Sequence, residues 1–138
     1  MDRSAFDQIV ERAYQRIPTF YRRRIQNVAI VVEQEPSPET LRAASVAPGH
    51  TLLGLYQGIP ATKRPWSASA GLPDRISLYQ GPLERMAAST AELERMVEDT
   101  LWHEIGHYFG LNEAEIRRAE AARERRRKAE WRRRKPAG

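Results

Sequence analysis

The chain has 138 residues, 23 Lys and Arg against 18 Asp and Glu, a net charge of +5 and no cysteine. That length holds one core with at most a tail, and 41% apolar residues argue against wholesale disorder. The absence of Cys excludes disulfide scaffolds, zinc ribbons and thiol nucleophiles, and the longest aliphatic run, Val28–Val32, is too short for a membrane span or a signal-peptide core, so a cytoplasmic protein is expected.

The first element is a helix. Phe6, Ile9, Val10, Ala13, Tyr14 and Ile17 form one apolar stripe at helical spacing, with Ser4 as the expected N-cap and Pro18 as the stop. Past the basic cluster Arg22–Arg24, the β-branched run from Asn27 to Glu33 predicts a buried strand. Pro36 and Pro38 open a loop with a short helical turn near Leu41–Ala44. Thr51–Gln57 reads as a second strand, ended by Gly58 and Pro60. Residues 61–73 read as loop. Arg75–Gln80 alternates Ile76 and Leu78 with Ser77 and Tyr79, which predicts a half-buried strand closed by Gly81-Pro82. Leu83–Ala88 is expected as one helical turn.

Ser89-Thr-Ala-Glu92 has the form of a capping box, and the helix behind it keeps its period through Leu93, Met96, Val97, Leu101, Ile105 and Tyr108. Gly110 stands where that helix ends. Asn112 then caps a last helix of mostly Arg, Lys, Glu and Ala, with Glu115 three residues on. The expected fold is α+β, a small sheet packed on two helices, with the strand order left open.

The long helix carries His103-Glu-Ile-Gly-His107, an H-E-x-x-H motif. Two histidines one turn apart can share one tetrahedral zinc, and Glu104 beside them can take a proton from zinc-bound water. The pattern continues to Gly110 and Glu113, giving H-E-x-x-H-x-x-G-x-x-E. A glycine free to adopt positive φ turns the chain back, so that a residue three positions on can face the metal. Glu113 is the preferred third ligand and one zinc per chain is expected. Glu120, Glu124, Glu130 and His50 are the rivals.

These residues resemble the small bacterial zincin-like metallopeptidases, minimal proteins with an H-E-x-x-H-x-x-G-x-x-D/E site near the end of one domain. The likeness extends to Leu52-Leu-Gly-Leu-Tyr56 with Gly58, and to Leu72–Leu78 followed by Gly81-Pro-Leu83. It implies a minimal zincin-like α+β fold, a small mixed sheet packed on the N-terminal helix and the motif helix. It also implies a domain over 1–116, zinc on His103, His107 and Glu113, and Glu104 as catalytic base. Two features set the chain apart from larger zincins. All methionines lie upstream of the motif, so there is no Met-turn, and no Tyr or His follows Glu113. An oxyanion stabiliser is left to Tyr56, Tyr79, Tyr108, Arg117 or the metal alone.

The expected function is zinc-dependent hydrolysis of a peptide or protein substrate. The substrate would pair along the Arg75–Gln80 strand, with Ser77 and Tyr79 at the cleft. Residues 117–138 form an Arg-rich helix or tail. From Ala114 onward there are 11 basic and 4 acidic residues; before it, 12 basic and 14 acidic. The pI near 10 therefore describes an appendage on a mildly acidic body. The appendage is read as a solvated helix with i,i+4 pairs Glu113–Arg117, Glu124–Lys128 and Glu130–Arg134, packed on the body near its start only. The alternative is a zinc-stabilised binding protein that cleaves little and uses this arm on nucleic acid or an acidic partner.

Overall fold

The computed structural model describes residues 1–60 and 74–134. The loop expected at 61–73 and the last four residues lie outside the described residues. Helix α1 (Arg3–Arg16) buries Phe6, Ile9, Val10 and Ala13, the stripe seen in the sequence. Its cap is Asp2, not Ser4: Asp2 Oδ1 accepts from the Ala5 N–H at 2.7 Å, and Ser4 already lies in the first turn. A short helix α2 (Thr19–Arg22), which the apolar pattern does not signal, follows Pro18 directly. Helix α3 (Pro38–Ala43) is the turn expected near Leu41, started earlier by a Ser37 cap with Pro38 at the first helical position.

Three strands form the sheet, β1 (Val28–Glu33), β2 (Gly54–Gln57) and β3 (Asp74–Tyr79), in the order β1-β3-β2. β1 runs parallel to β3 with Val28 opposite Asp74, and β2 runs antiparallel to it with Gly54 opposite Leu78. This order corrects two expectations. β1 is an edge strand and only half buried along its length. β3 is the central strand, paired on both sides, so Arg75–Gln80 offers no free edge to an incoming peptide. Ser77 and Tyr79 are each 1% exposed and are not placed to touch substrate. Their alternation with Ile76 and Leu78 looks half-solvated in sequence, but a central strand covered on both faces buries its polar positions too.

Helix α4 (Gln80–Met86) starts immediately after β3. Gly81-Pro82 opens this helix rather than following the strand, since proline is compatible with a first helical turn. Helix α5 (Thr90–Tyr108) lies against α1 and the sheet. Leu93, Val97, Leu101 and Ile105 meet Ile76, Leu78 and the α1 stripe in one core. Ser89 caps it, accepting from the Glu92 N–H at 3.1 Å, while Glu92 reaches back to the N–H of Ala88 rather than Ser89.

The end of α5 is a glycine turn. Gly110 has φ +83° and its N–H donates to His107 O at 2.9 Å; the Leu111 N–H donates to Gly106 O at 3.0 Å. This is the double hydrogen bond of a Schellman cap. Asn112 and Glu115 then cap helix α6 (Glu113–Arg134) reciprocally: Asn112 Oδ1 accepts from the Glu115 N–H at 2.8 Å, and Glu115 Oε1 from the Asn112 N–H at 3.0 Å. α6 is continuous through residues 116 and 117, where the composition suggests a domain boundary.

Replacing Gly110 with Ala forces a left-handed conformation on a residue with a Cβ. It is expected to cost about 1–2 kcal/mol and to lower the melting temperature by several degrees, read by thermal unfolding.

Candidate metal centre

His103 and His107 project from the last two turns of α5, and their ring centroids lie 5.1 Å apart. Glu104 sits beside them, 7% exposed, on the side facing the sheet. Its Oε1 accepts from the Tyr56 backbone N–H of β2 at 2.8 Å. One potential ligand atom from each of His103, Glu104 and His107 falls within 4.8 Å of the others.

The turn at Gly110 brings Glu113 onto the same site. Its Oε1 lies 2.9 Å from His107 Nε2, and its Oε2 lies 3.5 Å from His103 Nε2. The fold-back requires close contact between helices. Ile116, 2% exposed, packs over Gly106, where an added Cβ would stand 2.9 Å from Ile116 Cγ1. Glycine inside the motif therefore has a packing reason.

Glu120, a rival third ligand by sequence, approaches the other nitrogen: its Oε1 is 2.7 Å from His103 Nδ1. A carboxylate only accepts, so Nδ1 carries the proton and the neutral ring keeps its lone pair on Nε2, the atom that faces Glu113. Glu120 thus meets the imidazole nitrogen opposite the one that faces Glu113. Glu124 pairs with Arg127 at 3.1 Å. Glu130 lies exposed further along α6, and His50 follows α3 in a turn with its N–H on Ala47 O at 3.0 Å; neither joins the cluster.

α6 runs back along α5 on a charged seam. Ile116, Glu120, Arg123 and Arg127 share its inner stripe. Arg123 bridges Glu98 and Asp99, the latter at 2.5 Å, and its guanidinium lies 5.4 Å from the Trp102 ring centre. Arg127 reaches Asp99 at 3.0 Å. Docking thus extends nearly four turns past the start of the helix, further than its few apolar residues suggest. The spacing 116, 120, 123, 127 was visible as a helical stripe, but charged residues on a stripe read as solvated. None of the three i,i+4 pairs suggested by sequence forms among the described residues: Glu113 is turned to the histidines, Glu124 pairs with Arg127 instead of Lys128, and Glu130 and Arg134 stay apart.

These charges set the protonation of the site. Burial opposes a proton on His103, but the hydrogen bond to Glu120 and the carboxylates of Glu104, Glu120 and Glu113 outweigh it. Its pKa lies above the ordinary histidine value. Burial raises the pKa of Glu104, against the charges of His103 and His107 and the Tyr56 N–H. The tyrosines proposed as oxyanion donors are otherwise engaged. Tyr56 Oη donates to Asp74 at 2.5 Å, and Tyr108 Oη donates to Arg24 O at 3.4 Å while accepting from the Gln26 N–H at 3.1 Å.

The donor set suits zinc: two neutral imidazole nitrogens and one carboxylate converge, one imidazole is locked from behind, and a second carboxylate stands free of the ligand triad. A helix that presents H-E-x-x-H histidines to an acid returned by a glycine turn is the zincin arrangement, here on a three-stranded α+β scaffold. The comparisons agree. The model of the zincin-like metallopeptidase family matches residues 25–123, and the chain belongs to that family. Among solved structures, a conserved hypothetical protein from T. thermophilus is 28% identical, with a TM-score of 0.54 over 79% of this chain and 94% of that one. No curated protein matches the chain. No helix among the described residues is long and apolar enough to cross a membrane.

Glu120→Gln keeps the shape of the side chain and removes the charge behind His103. It is expected to weaken zinc binding by about 10–100-fold in a chelator competition, with the fold retained by circular dichroism. An unchanged affinity would remove the orienting role.

Proposed function

We propose that the chain is a zinc-dependent peptidase, with His103, His107 and Glu113 as the metal ligands and Glu104 as the general base. The observation that carries this reading is the convergence of both Nε2 atoms on the Glu113 carboxylate beside a buried glutamate. Zinc in such a site acts as a Lewis acid that lowers the pKa of a coordinated water to about 7 and polarises a carbonyl.

The chain's own residues supply the rest. The Tyr56 N–H holds Glu104 Oε1, leaving Oε2 to receive the proton of the attacking water. Burial makes this carboxylate a stronger base than an exposed one, and the acquired proton can then pass to the leaving amine. Glu120 holds His103 in one tautomer throughout. The strand beside the site is β2, with one side paired to β3 and Glu104 bonded to its backbone on the α5 side. We place an extended substrate along β2 instead of β3. The cleft there, about 590 Å³, is lined by Leu52, Tyr56, Gly58, His103, His107 and Glu113, among others.

The second reading, a binding protein with an Arg-rich arm, has narrower support. Arg123 and Arg127 are committed to Glu98, Asp99 and Glu124, which leaves the exposed Arg125, Arg126, Lys128 and Arg132–Arg134 for an acidic partner.

Elemental analysis of the purified chain is expected to find one zinc per molecule at neutral pH. His103→Ala should lose it. Glu104→Gln should keep it while kcat/KM on peptides falls by about 10²–10⁴-fold. A metal-free protein, or a Glu104→Gln variant of full activity, would defeat this assignment.

A further inference from the structure

Helix α6 separates its charges by face. Ile116, Glu120, Arg123 and Arg127 mark the side turned to α5. At about 100° per residue, the line opposite them runs through Arg118, Ala122, Arg125, Ala129 and Arg132. Ala121 and Lys128 flank this line on one side, Arg126 and Arg133 on the other. The cations of this outer face are all exposed, and none has an ion pair among the described residues. No carboxylate lies among them. The acids of α6 beyond its first turn are Glu120, Glu124 and Glu130. Glu120 meets His103, Glu124 meets Arg127, and Glu130 falls by rotation on the half that faces α5. We propose that the outer face of α6 binds double-stranded nucleic acid through its phosphates, without preference for base sequence. This rests on the basic arm of the second reading, to which it gives a partner, and not on hydrolysis at the metal centre.

A solvated charged helix ordinarily alternates acids and bases around its circumference. Here the contacts with α5 draw the acids to one side and leave the other cationic along its length. Arg118, Arg125 and Arg132 stand seven residues apart, so they repeat about every 10.5 Å and span about 21 Å. A duplex carries one phosphate charge per about 1.7 Å of its axis, and neutralising several of them at once releases its condensed counterions. A row of guanidiniums therefore gains more from a duplex than from an isolated anion, and each fork matches a pair of phosphate oxygens. The alanines between the arginines keep the face low, and a helix about 10–12 Å across fits a major groove about 12 Å wide. Arg123 and Arg127 fasten the helix to Glu98 and Asp99, so the face is already ordered before a ligand arrives.

The same face disfavours other anionic partners. It carries no aromatic side chain, and single strands are held by stacking on aromatics. It carries no apolar side chain larger than Ala, whereas a helix lying in a lipid surface inserts an apolar face. The aliphatic anchor of α6, Ile116, is buried on α5. Arg and Lys with no Asn, Gln, Ser or Thr beside them suit phosphates more than a sequence of base edges.

The test is fluorescence anisotropy of the full-length protein with a labelled DNA duplex of mixed sequence, repeated over a range of salt. Binding is expected, with a slope of log K against log salt of about −3 or steeper. A duplex of permuted sequence should bind within about twofold of the first. Arg118→Gln, Arg125→Gln and Arg132→Gln combined should weaken binding by at least about tenfold and flatten the slope by about 2–3. Arg125→Glu alone should weaken it in the same direction, and carries the test if the combined variant loses its circular dichroism spectrum. The combined variant is expected to keep the zinc content and peptide hydrolysis of the wild type, so the metal centre is read separately. A wild type that binds the duplex but holds no zinc or cleaves no peptide defeats the peptidase reading and upholds this one. No binding at low salt, or binding that both variants leave unchanged, overturns the proposal. Tighter binding to the matching single strand or to phosphatidylserine vesicles overturns it too.

Discussion

The site depends on α6 folding back along α5. Both acids that face the histidines, Glu113 on the Nε2 side and Glu120 on the Nδ1 side, come from this one helix. Three features hold it there. The positive φ of Gly110 reverses the chain, the bare surface of Gly106 admits Ile116, and Arg123 and Arg127 clamp the helix to Glu98 and Asp99. The seam is almost wholly polar. Its ion pairs are partly desolvated and gain strength from acting as a network, whereas isolated surface pairs contribute little. The helix that looks least structured in sequence is thus part of the metal centre.

The opposite wall of the site is set by the sheet. β3 occupies its middle, which buries Ser77 and Tyr79 and leaves β2 beside the motif helix. The Tyr56 N–H of β2 reaches the Glu104 carboxylate, so one backbone bond ties the proposed base to the strand along which a substrate would lie. The same buried setting that fixes Glu104 raises its proton affinity. Burial and positioning therefore pull in opposite directions, since the Tyr56 N–H that holds the carboxylate favours its charged form while the loss of water around it favours the neutral one.

Much of this was legible in the residues, and the remainder has identifiable reasons. The stripe of α1, the capping signals at Ser89 and Asn112, and the Gly110 terminus were readable because each is a local rule acting within a few residues. Strand order was not, since β1 and β3 differ in sequence by less than their environments differ in burial. Ser77 and Tyr79 misled because a polar alternation is normally a solvated face. Glu120 was noticed as a possible ligand, but only the rotation and approach of α6 decide which imidazole nitrogen it meets.

The net charge of +5 shows the same division. The sequence by itself determined the H-E-x-x-H spacing, the glycine that ends its helix, the acid three residues beyond, and the concentration of arginine in the last helix. These are properties of neighbours along the chain. Which arginines are spent internally was decided by tertiary structure alone, because it depends on α5 carboxylates more than twenty residues away. Arg123 and Arg127 face those acids, while Arg117 loses its helical partner to the histidines. A charge that looked uniform along the helix is thereby sorted, among the described residues, into a clamp and a solvated remainder.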